Sequence, residues 1–145
     1  MNRFCCVAAL LLVVGAGVAA QATQYRARLS VVPIDIPMQS TIAGTGAVTA
    51  TLKGTALTIS GTFTGLKTPA TAARIHRGPR TATRGPAIAD LTITAATSGT
   101  ITGVLELTPE QVTDLGAGRL YVQVHSQKAP NGNLWGWLLA FEGKK

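Results

Sequence analysis

The stretch from Thr45 to Leu66, TGAVTATLKGTALTISGTFTGL, decides the fold class. Its side chains alternate. Val48, Ala50 and Leu52 fall on one face with threonines opposite, and Leu57, Ile59, Gly61 and Phe63 repeat the pattern after a short break. A period of two is that of a half-buried strand, and Lys53-Gly54-Thr55 between the runs suits a hairpin turn. Working outward, YRARLSVV (25–32), PAIADLTI (86–93) and SGTITGVLEL (98–107) add further strands. Turn residues recur about every ten positions, as in a sandwich or barrel. One segment departs from this pattern. In TPEQVTDLGAG, Thr108 is an N-cap, Pro109 takes the first helical position, the first turn is acidic and Gly116 marks the stop, so one short helix is predicted at about 108–116.

Toward the C-terminus, RLYVQVHSQ (119–127) sets Leu120, Val122 and Val124 against Tyr121, Gln123 and His125. APNGN (129–133) reads as the next turn, because Asn131-Gly132 tolerates positive φ, and NLWGWLLAFEG (133–143) completes a closing hairpin. Trp135, Trp137, Leu139 and Phe141 share one face of that last strand. They are read as core filling and a closing contact against the helix, or else as a ligand platform.

The 145 residues suffice for one domain. The N-terminus, MNRFCCVAALLLVVGAGVAAQATQ, has an Arg-bearing start, an apolar run and a small-residue end, the pattern of a secretory signal peptide. Cleavage near Ala20 or Ala22 would remove both cysteines, excluding disulfides, thiolate catalysis and a Cys-ligated zinc. The expected division is residues 1–22 as signal peptide, 23–39 as an N-terminal segment with the first strand, 40–142 as the β domain and 143–145 as a basic tail. No transmembrane anchor is expected after cleavage, and the destination is the exterior or the periplasm. Of thirteen Lys and Arg only Arg3 leaves, so twelve face six Asp and Glu. A basic exported surface favours an anionic envelope polymer or another extracellular protein over nucleic acid.

RIHRGPRTATRGP (74–86) carries Arg74, Arg77, Arg80 and Arg84 around His76, in what reads as a Gly- and Pro-punctuated loop. Backbone amides and guanidinium groups there suit an anionic group. Together with Trp135 and Trp137, these arginines are the candidate binding residues. No nucleophile and base pair, phosphate loop or close carboxylate pair is present, so no enzyme and no cofactor is expected.

ARIHRGPRTATRGPAIADL (73–91) followed by LTPEQVTDLGAGRLYVQVHSQKAPNGNLWGWL (107–138) resembles the chordin-type (CHRD) domain, over roughly Ser40 to Phe141. His76, Gly78, Gly85 and Pro86 match a first motif; Tyr121, Val122, Val124, His125, Pro130, Gly132 and Gly136 match a second. The resemblance implies a small extracellular, bacterial-type binding or structural module. Its fold would be an all-β antiparallel Greek-key sandwich, immunoglobulin-like or superoxide-dismutase-like. Arg74 stands where the family shows a further histidine. His76 and His125 are the only imidazoles, too few for a zinc site of three or four ligands, and a guanidinium cannot coordinate. The two histidines are therefore expected to tie the loop against the final hairpin without a tightly bound metal. The alternative is a copper- or zinc-binding redox protein that uses both.

Overall fold

The structure is a computed structural model that describes Gly17 and residues 21–142. The expected signal peptide and basic tail lie almost wholly outside the described residues. Among the described residues nine strands form: β1 (Thr23–Val31), β2 (Thr45–Lys53), β3 (Ala56–Thr64), β4 (Ala70–Arg77), β5 (Ala87–Ile93), β6 (Gly99–Glu106), β7 (Leu120–Ser126), β8 (Ala129–Trp137) and the short β9 (Leu139–Ala140). One α-helix, α1 (Pro109–Gly116), joins β6 to β7, and a 3-10 turn at Pro37–Ser40 precedes β2.

All pairings are antiparallel and run β2-β3-β6-β5-β4-β7-β8-β1, with β1 also paired to β2, so eight strands close into a barrel. β3 lies beside β6 and β4 beside β7, the Greek-key arrangement. Two seams are thin. β5 meets β6 only at Thr92↔Thr102 and Ile93↔Ile101, and β1 meets β8 only at Ser30↔Trp135 and Val31↔Leu134. The barrel is thus two sheets, β1-β2-β3-β6 and β5-β4-β7-β8, joined along two narrow edges. One core serves both, with Leu29, Val48, Ile59, Ile75, Ile101, Val122 and Leu134 among its buried residues.

The alternation read from the sequence holds where it was strongest. Val48, Ala50, Leu52, Leu57, Ile59 and Phe63 all point inward, and β2 turns into β3 through Gly54-Thr55. The helix keeps its expected start. Thr108 Oγ1 accepts from the Gln111 N–H, and the Gln111 side chain accepts from the Thr108 N–H, a reciprocal cap. Its stop differs. Gly116 remains helical, and the left-handed residue is Gly118 at φ +70, two residues later.

Three further expectations are corrected. RIHR is strand, not loop: Arg74, His76 and Arg77 all belong to β4, paired on both sides, because Ala73 and Ile75 supply the inward face. The closing hairpin turns at Gln127-Lys128, and APNGN lies within β8. Between the pairs Val124↔Leu134 and Ser126↔Ala129, four residues of β8 (130–133) stand opposite the single residue His125. Gly132 takes φ +128 there, and a Cβ on it would meet Gln123 Nε2 at 2.7 Å, so the turn-like Asn-Gly builds a bulge. The aromatic strip is interrupted. Trp135 and Trp137 lie outside the core, whereas the chain breaks at buried Leu138 and continues as β9 beside β1, where Phe141 packs under the Arg26 guanidinium. β1 takes part in the barrel from Thr23, since Thr23 to Leu29 pair with β2.

Candidate functional site

Both histidines, both tryptophans and two of the four arginines converge on the outer face of β4, β7 and β8. Cross-strand register sets His76, Tyr121 and Trp137 in one row and Arg74, Gln123 and Trp135 in the next. His125 follows opposite Ala72. An antiparallel row brings side chains within contact, and here they stack. Tyr121 lies 5.0 Å from His76 and 4.6 Å from Trp137, nearly parallel to each, while Trp135 meets Trp137 edge-on at 4.6 Å. The ring centres of His76 and His125 are 6.2 Å apart.

Every residue of β7 is buried, on both of its faces. Its inner face meets the core, and its outer face is covered by residues 78–86 and by the bulge of β8. The cover is tied down through Gly85. Its N–H donates to Tyr121 Oη at 3.0 Å, and its carbonyl accepts from Tyr121 Oη at 3.2 Å and from His76 Nδ1 at 2.9 Å. Only glycine fits, because a Cβ would lie 1.8 Å from the Arg77 carbonyl oxygen. His125 Nδ1 donates in the same way to the Pro130 carbonyl at 2.9 Å, fastening the bulge. Burial holds the His125 pKa below the usual histidine value. The Pro130 hydrogen bond opposes that shift, and the positive charges of Arg74 and Arg84, with His76, reinforce it.

The arginines do not form one face. Arg74 projects from β4 and pairs with Asp90 at 2.9 Å, both exposed. Arg84 reaches the Asn131 carbonyl at 3.3 Å and lies 5.2 Å from the centre of the Trp135 ring, so it straps the cover to β8. Arg77 turns to the helix instead. It meets Glu110 at 2.6 Å and Asp114 at 2.5 Å, and Arg119 approaches the other Asp114 oxygen at 3.2 Å. Asp114 is buried, so the two guanidinium groups supply the counter-charge its burial requires. A cleft of about 290 Å³ beside them is lined by Arg77, Gly78, Pro79, Pro86 and Arg119. Arg80 contacts only Thr83 Oγ1, at 3.2 Å, among these polar partners.

Sequence reasoning missed Tyr121 as a site residue, although its place two before Gln123 and four before His125 assigns it to the same strand face. It also missed Asp114, for which a lone helical aspartate gives no signal. Among the described residues no group of three or more His, Cys, Asp or Glu gathers as metal ligands. Likewise, no helix among them is long and apolar enough to cross a membrane.

A closed antiparallel barrel with one short helix, in which His76 fastens the 78–86 loop at Gly85 and His125 fastens the bulge of β8, defines an all-β module, and comparison with known proteins gives its family. The CHRD domain model matches residues 25–138, nearly the whole described barrel including β1, and the chain belongs to the CHRD-domain family. Neither a curated protein nor a solved structure matches the chain significantly.

Proposed function

We propose that the chain is a non-catalytic binding module that works outside the cytoplasm, and that it binds an anionic polymer through the outer face of β4, β7 and β8. The observation that carries this reading is the placement of Arg84 5.2 Å from the half-buried Trp135 ring, with Arg74 in the same cross-strand row as Trp135, on one sheet face. Guanidinium groups bind sulfate, phosphate or carboxylate through paired hydrogen bonds, and flat indole rings offer contact area at little entropic cost. Arg77 is left out of the binding set because buried Asp114 needs its charge, whereas the Arg74–Asp90 pair is solvent-exposed and weak enough to yield to a ligand. The leader-like N-terminus and the basic balance support export and an anionic partner. Of the two fold likenesses expected, a ladder closed round eight strands fits a superoxide-dismutase-like barrel better than an immunoglobulin-like sandwich.

The test is binding of the purified protein to dextran sulfate at several salt concentrations. Affinity should fall steeply as salt rises, since exposed charges are screened over about 10 Å at 0.1 M ionic strength. A R74Q/R84Q double variant should lose most of that affinity, and R80Q should keep it. Undiminished binding by the double variant would overturn the assignment of this face.

A further inference from the structure

Three buried nitrogens on the histidine face lack hydrogen-bond partners, Nε2 of His76, Nε2 of His125 and Nε1 of Trp137, and the last is an N–H donor that cannot act as a ligand. His76 Nε2 and His125 Nε2 are both sealed from solvent. A buried acceptor left alone costs about 1–3 kcal/mol. Folded proteins relieve such an atom with a water, an ion or a ligand.

The opposite edge of each ring fixes the chemistry of that atom. Both Nδ1 atoms sit 2.9 Å from a main-chain carbonyl, of Gly85 for one ring and Pro130 for the other. A carbonyl only accepts, so each Nδ1 carries the hydrogen, and in a neutral ring Nε2 is then a bare lone pair. Metal-ligating histidines are held by this kind of outer hydrogen bond. Two bare lone pairs cannot satisfy one another; each needs a group that donates a hydrogen bond or accepts the electron pair.

Charge and ligand count select what that is. Zinc in proteins takes four ligands, or three with a water, and among the described residues no third histidine, cysteine or carboxylate joins the pair. Arg74 and Arg84 add positive charge close to His125, and this repels a divalent ion twice as strongly as a monovalent one. Copper(I) escapes both objections. It is monovalent, and its filled d shell accepts two imidazoles in line. With metal–nitrogen bonds of about 2.0 Å, two imidazoles bridged in line have ring centres roughly 6 Å apart, a spacing that the observed 6.2 Å permits.

We propose that His76 and His125 together bind one copper(I) ion through their Nε2 atoms. The site is one for holding or passing on the ion, with no redox step. It rests on the two orphaned histidine nitrogens and not on the anionic-polymer reading, which uses Arg74 and Arg84.

The experiment is an anaerobic titration of the purified, chelator-treated protein with copper(I), in competition with the chromophoric chelator bicinchoninate, alongside titrations with zinc. One equivalent of copper(I) should bind, and H76Q and H125Q should each weaken it by more than the roughly 10–100-fold that loss of an outer-shell partner costs. Because those variants also lose a hydrogen bond that fastens the cover, the wild-type protein gives a second readout. Copper(I) is diamagnetic, so both Nε2 nitrogen resonances should shift together, saturating at one equivalent, in long-range nitrogen–proton spectra. R74Q/R84Q should still bind copper(I), which separates this site from the polymer face. Failure to saturate, unmoved Nε2 resonances that mark a bound water only, or tighter binding of zinc than of copper(I) would overturn the proposal.

Discussion

The two sheets of the barrel are alike inside and unlike outside. On the outer face of β1-β2-β3-β6, Thr49, Ser60 and Thr102 form one exposed rank and Thr62 and Thr100 another, with Thr49 Oγ1 donating to the Ser60 carbonyl. On the outer face of β4-β7-β8, aromatic rings and two histidines are stacked and roofed over, so that β7 is buried on both sides. The inner faces supply the same alternation of Leu, Ile, Val and Ala to one core. The inward residues specify the barrel; the outward residues decide which sheet remains plain and which becomes a site.

The sharpest way to break this contrast is at Gly85. Gly85→Ala drives a Cβ to within 1.8 Å of the Arg77 carbonyl oxygen and 3.0 Å of Gly78 Cα, both backbone atoms that no rotamer change can move aside. A loss of about 3 kcal/mol is expected, the upper end for overpacking, measured by urea unfolding. Stability within error of wild type would show that the cover is not anchored there.

A smaller effect is expected from pH. The folded-state pKa of His125 is depressed by burial, and Arg74, His76 and Arg84 are the charged or titratable groups that lower it further. The unfolded chain therefore takes up the proton first as pH falls, near the ordinary histidine value of about 6.5. Stability is then full above that value and declines as pH falls toward the folded pKa. In chelated, metal-free protein, urea midpoints should drop between about pH 7.5 and pH 5.5, and amide exchange should quicken first in residues 78–86 and 130–133. His125→Asn should flatten the decline; an equal slope in both proteins would detach it from this face.

The smallest effect belongs to the plain sheet. Thr62 is exposed on β3, and Thr62→Val should change stability by less than about 0.5 kcal/mol and leave dextran sulfate binding untouched. A marked change in either would mean that the threonine ranks are themselves a site.

The sequence reading succeeds where a local rule and the tertiary environment agree. Val48, Leu57 and Phe63 alternate because water lies on one side of them and the core on the other, and Thr108 caps its helix within one turn. It fails where a distant contact reassigns a local signal. Asn131-Gly132 has stronger turn chemistry than Gln127-Lys128, yet the Gln123 side chain and the His125–Pro130 hydrogen bond make it a bulge. Gly and Pro around His76 suggested a loop, but Ala73 and Ile75 needed the core, which drew Arg74 and His76 into β4. The meeting of His76 and His125 was legible in the motif order, whereas their gathering with Trp135 and Trp137 came only with the strand register. The separation of Arg77 from Arg84 depended on Asp114, whose pairing no spacing announces.

β1 belongs to both sheets, since Thr23 to Leu29 pair with β2 while Ser30 and Val31 pair with β8. That second pairing joins positions more than a hundred residues apart in sequence, Ser30 with Trp135 among them. Long-range closures of this kind form late and slowly during folding. Until Leu134 and Trp135 are in place, the ends of β1 and β7 stay unpaired, and open strand edges recruit other chains. Aggregation of this protein should therefore be governed by the wait for its last long strand, so a chaperone or a crowded neighbour acts on a nearly complete barrel with one slit still open.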